Sequence, residues 1–67
     1  MAKKITDMAL MGRLKLEEET LTDGSKVYNV WVNNIEITCE DLQSANTLYD
    51  LLDNGKYYYE KTEEEDN

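Results

Sequence analysis

Between Lys26 and Leu52 the hydrophobic period changes from two to about 3.6, and a short chain has few ways to accommodate that change. The stretch reads K-V-Y-N-V-W-V-N-N-I-E-I-T-C-E-D-L-Q-S-A-N-T-L-Y-D-L-L. A β-branched and aromatic run, Val27 to Val32, stops at Asn33-Asn34 and resumes from Ile35 to Cys39. Asn tolerates left-handed backbone better than most residues, so the pair predicts a two-residue type I′ hairpin turn. Beyond it, Leu42, Ala45, Leu48, Tyr49 and Leu52 recur on one helical face, widened by Leu51. Thr38 is the expected N-cap, with Asp41 in the capping-box position and Glu40 beside the positive end of the helix dipole; the alternative is a cap one or two residues later. Asn54-Gly55 is a stop signal.

Upstream, Met8, Leu10, Gly12, Leu14 and Leu16 alternate with Ala9, Met11, Arg13, Lys15 and Glu17, which predicts a half-buried strand with Gly12 marking either a bulge or a place where another backbone comes close. Met1 to Asp7 is polar apart from Ile5 and is expected to fray at its start. Thr22-Asp23-Gly24-Ser25 is a turn into the second strand. The expected fold is therefore α+β. It has a three-stranded antiparallel meander (about 8–19, 26–32 and 35–38) and one helix (about 39–53) on one sheet face. Tyr57-Tyr58-Tyr59 suits a short fourth strand (about 57–61). Glu63-Glu64-Glu65-Asp66 suits a disordered acidic tail over residues 62–67, leaving 1–61 as a single domain.

Function is constrained mainly by exclusion. The chain of 67 residues has no histidine, so the commonest general base is missing and Cys39 has no imidazole to activate it. Cys39 is expected to behave as a small structural hydrophobe. One cysteine gives neither an internal disulfide nor a Cys/His zinc cage, and the calcium-loop pattern is missing. Glycines at 12, 24 and 55 cannot form a phosphate-binding loop. No enzyme, metal or cofactor is therefore expected. A formal charge of −8 argues against direct binding of nucleic acid, and no apolar run is long enough to cross a membrane. A lone cysteine with no export signal fits a cytoplasmic setting.

What remains is a protein-binding module. Val27, Asn29 and Trp31 point one way along the second strand, and Tyr28, Val30 and Val32 the other. A single helix on the Tyr28 face leaves Trp31, Val27 and Met11 as an apolar patch, to which Tyr57, Tyr58 and Tyr59 add aromatic surface as a partner or dimer interface. Self-association is a common remedy for so small a core, so a homodimer is expected. The acids Glu17, Glu18, Glu19, Glu36, Glu40, Asp41, Asp50 and Asp53 are expected to form an acidic surface. It would steer a basic partner or, as an alternative, mimic nucleic-acid phosphates and block a DNA-binding enzyme. A third reading is a small structural subunit of a larger assembly.

In size, charge and lack of catalytic groups the chain resembles the small acidic accessory proteins that bacteriophages use to block a host enzyme or defence protein. The resemblance implies a larger protein partner, which could itself bind nucleic acid, and action in the host cytoplasm.

Overall fold

The run of β-formers in Lys26–Val32 makes a strand with a neighbour on each side, and the sheet is built outward from it. The computed structural model describes residues 2–54. Its strands are β1 (Ala2–Ala9), β2 (Leu14–Thr20), β3 (Lys26–Val32) and β4 (Ile35–Cys39), followed by the helix α1 (Leu42–Asp53). They form one antiparallel meander in the order β1-β2-β3-β4. The expected α+β architecture, a meander with one helix packed on it, is the one found. The proposed strand at 57–61 and the acidic tail lie outside the described residues.

Register decides which side chains reach the helix. Leu16 stands opposite Val30 and Val30 opposite Ile37, while Leu14 stands opposite Val32, so these residues share one face. Ala45, Tyr49 and Leu52, one stripe of α1, close over Leu14, Leu16 and Val30 to form the buried core. Burying each large side chain contributes roughly 1.5–3 kcal/mol. Tyr28, Val32, Cys39 and Leu48 complete its rim, whereas Leu42 and Leu51 remain exposed on the two flanks of the helix. Trp31 and Val27 lie on the opposite, open face, as the alternation requires.

The segment expected as one strand over 8–19 is instead a hairpin. Met1–Asp7, read from sequence as a polar segment that frays at its start and placed outside the sheet, supplies most of a strand: Ala2–Ala9 pairs along β2, with Ile5 opposite Glu17 and Ala9 opposite Leu14. Alternation alone cannot reveal a reversal in which both arms alternate. The break lies at Leu10, Met11 and Gly12, whose φ angles of +54°, +59° and +87° make a left-handed turn. Gly12 therefore marks the turn; the bulge falls at Thr6, where the register shifts between Ile5 and Asp7. For Leu and Met, left-handed backbone costs roughly 1–2 kcal/mol per residue. The Arg13 N–H donates to the Leu10 carbonyl at 3.1 Å, and the Arg13 Nε donates to the same oxygen at 3.2 Å.

Two local details also differ. The N-cap of α1 is Asp41 rather than Thr38, its carboxylate accepting the Ser44 N–H at 2.7 Å. Thr38 is unavailable because β4 runs on to Cys39 and its hydroxyl is bonded across the sheet. At the β3–β4 turn only Asn33 is left-handed (φ +56°), which excludes type I′. Elsewhere Gly24 takes φ +90°, and Asp23 accepts the Ser25 N–H at 2.9 Å and its hydroxyl at 2.6 Å, as the turn residues predict.

Met11 is 97% exposed, so replacing it removes strain and no packing. Met11→Gly is expected to stabilise the fold by roughly 0.5–1 kcal/mol in urea unfolding. Asp41→Ala is expected to cost about 1 kcal/mol. A Met11→Gly variant less stable than the parent would show that the turn is not strained.

Candidate binding face

Among the described residues no helix lies over the open face of the sheet, yet its centre is buried. Asn29, midway along β3, is only 1% exposed. The reason is a set of long side chains leaning in from neighbouring strands. Asn29 stands between Glu17 on β2 and Thr38 on β4. Its Nδ2 donates to Glu17 Oε1 at 2.9 Å and to Glu19 Oε1 at 3.0 Å, and its Oδ1 accepts the Thr38 hydroxyl at 2.8 Å. Carboxylates only accept, so the amide nitrogen must face them and the carbonyl must face Thr38. Every polar group of the carboxamide has a partner.

Trp31 is fixed by the same network. Its indole Nε1 donates to Glu17 Oε1 at 3.2 Å, and the Lys15 ammonium lies 5.9 Å from the ring centroid. Glu17 is thus 8% exposed, although it was expected as part of an acidic surface. Burial pushes its carboxyl upward, but hydrogen bonds from Asn29 and Trp31 and the charges of Lys3 and Lys15 outweigh it. The net pKa lies below the ordinary 4.5.

The remaining candidates are dispersed. Val27 is on this face, flanked by Glu19, whereas Met11 projects from the hairpin turn at the end of the sheet. Tyr57, Tyr58 and Tyr59 lie outside the described residues. Glu18 sits on the helix side, 3.6 Å from Lys26, a surface pair of small energetic weight. Asp41 is engaged as the helix cap, which lowers its pKa through the Ser44 backbone and side chain. Glu36, Glu40, Asp50 and Asp53 are exposed.

Two residues not singled out from sequence join the face. Ile5 stands opposite Glu17 and Met8 opposite Lys15, and both are exposed. Met8, Lys15, Trp31 and Glu36 form one row across all four strands. Ile5 was legible as the one apolar residue before Met8, but its place depended on recognising the hairpin.

Other sites offer less. A hollow of about 270 Å³ beside the helix C-terminus is lined by Leu10, Arg13, Leu14, Val32, Asn33 and Leu52, with Arg13 its single charged side chain. Cys39 is a half-buried free thiol at the core rim. Among the described residues no group of three or more Cys, Asp or Glu is placed to hold a metal ion. Among the same residues no helix is long and apolar enough to cross a membrane. No protein-family model matches the chain, and no curated protein or solved structure matches it at a significant level.

The Glu17 network has a definite pH signature. A carboxyl whose folded pKa is depressed stabilises the fold above its unfolded value, about 4.5, and loses that contribution as pH falls through the folded value. Urea unfolding of the parent and Glu17→Gln should therefore differ most at neutral pH and converge towards pH 3. A gap independent of pH would mean that the Glu17 charge is not held by these contacts.

Proposed function

We propose that this protein is a non-enzymatic binding module that occupies a surface of a larger protein through its open sheet face. The observation that carries the reading is Trp31, an aromatic side chain fixed before any partner arrives, beside the exposed Ile5 and Met8. A restrained Trp loses little rotamer freedom on binding, and Trp anchors with apolar neighbours and a polar rim are the anatomy of binding hot spots. Lys3, Lys15, Glu19 and Glu36 supply that rim. In size and charge this matches the phage-type inhibitors of host enzymes or defence proteins, and the partner would be a protein of that kind in the host cytoplasm.

The phosphate-mimic reading is weaker, because it needs carboxylates aimed outward. Glu17 is turned into the sheet, Glu19 holds Asn29 and Asp41 caps the helix.

The test is stoichiometric capture from a candidate host lysate, repeated with Trp31→Ala and with Ile5→Asp/Met8→Asp. Circular dichroism checks that each variant folds. Each is expected to lose the partner at least tenfold, with retention of the parent complex at about 0.5 M salt, where exposed charges are screened. A complex that ignores these substitutions and dissolves in salt would transfer the argument to the phosphate mimic. Light scattering on the free protein decides whether it is a homodimer.

A further inference from the structure

The two edges of the sheet are finished differently. β1 carries features that discourage an added strand, namely the bulge at Thr6 and the charges of Lys3, Lys4 and Asp7. β4 has no bulge and a single charge, Glu36. Its five residues, Ile35-Glu36-Ile37-Thr38-Cys39, contain no lysine, proline or bulge, and three are β-branched. Among the described residues its outer edge has no strand beside it.

The surroundings of that edge have a consistent chemistry. On the helix side Ile35 is 64% and Ile37 39% exposed. Leu42 and Asn46 flank α1 towards β1 and β2, where they share a hollow with Thr6 and Leu16. The opposite flank, with Leu48 and Leu51, therefore lies towards β4. An apolar strip thus runs beside the open edge. On the other side stand Glu36 and Thr38. Charge is segregated as well: residues 27–54 contain Glu36, Glu40, Asp41, Asp50 and Asp53 and not one lysine or arginine. The basic residues at 3, 4, 13, 15 and 26 lie on β1, β2, the turn between them and the first position of β3.

We infer that β4 accepts an added strand from a protein partner, and that this strand alternates apolar residues with lysine or arginine. Its backbone pairs with the free edge of β4. Its apolar side chains cover Ile35, Ile37 and Leu51, and its basic side chains meet Glu36 on the opposite face. A second copy of this chain is disfavoured there, since two such edges would bring together two uniformly acidic flanks. The inference centres on the β4 edge, shares only Glu36 with the rim of the Trp31 face, and is tested separately from it.

The experiment uses the full chain and three acetylated peptides: alternating Lys-Val, the same peptide with its central Val replaced by Pro, and alternating Glu-Val. The Lys-Val peptide should bind and slow amide exchange at residues 35–39. The Pro-interrupted and Glu-Val peptides should bind at least tenfold more weakly. Ile35→Asp/Ile37→Asp should reduce Lys-Val binding by a similar factor, whereas Trp31→Ala should not. Equal binding of the Pro-interrupted peptide would overturn the proposal, because no ladder is then involved. So would protection, already in the free protein, of the alternate β4 amides that point away from β3, since the edge would then be occupied by this chain itself.

Discussion

The carboxamide of Asn29 holds together a face that no other element among the described residues covers. A central strand presents side chains to both faces of the sheet, and the described residues supply one helix to place over them. The helix face is closed by apolar packing of Val30, Leu16 and Tyr49. The other is closed by hydrogen bonding, with Glu17, Glu19 and Thr38 converging on one buried amide and Trp31 bonded to Glu17 beside it. An apolar residue at 29 would leave Glu17 buried with fewer donors, which is costlier than losing the pair together. The network closes this face, while register is set on the other, because slipping β2 by one residue would turn Leu14 and Leu16 out of the core.

That arrangement also decides what surface is left for a partner. Exposed apolar groups are displaced from the centre of the open face to Ile5 and Met8 on β1, and on the helix side to Ile35 and Ile37 on β4. Net charge alone conceals the division between these regions. In the β1–β2 half Lys3, Lys4, Arg13 and Lys15 balance Asp7, Glu17, Glu18 and Glu19, whereas residues 35–54 carry only carboxylates. A module so divided orients its partner as well as attracting it, since one end of its field is near neutral and the other negative.

The hairpin-to-helix transition from Lys26 to Leu52 was legible in sequence because the period changes there and register follows from it. The face of Trp31 followed from the same alternation. The first hairpin was not legible, because Leu10 and Met11 carry no signature of left-handed backbone and the turn depends on tertiary pairing to hold it. The N-cap was misplaced for a related reason, since β4 extends to Cys39 and recruits Thr38 into the sheet. The outward character of the acids was only partly legible: sequence counts Glu17 as a charge, while the fold spends it as an acceptor.

The nearest-neighbour order of the strands has a kinetic consequence. Each strand pairs only with the one before or after it in the chain, so no ladder requires closure of a long loop. Topologies of this kind lie toward the fast end for sheet-containing domains. The β3–β4 hairpin has the shortest connection, residues 33 and 34, so its pairing carries the smallest entropic delay of the three. The open edge of the sheet is thus a template set by local events, and its readiness does not wait on the strained turn between β1 and β2.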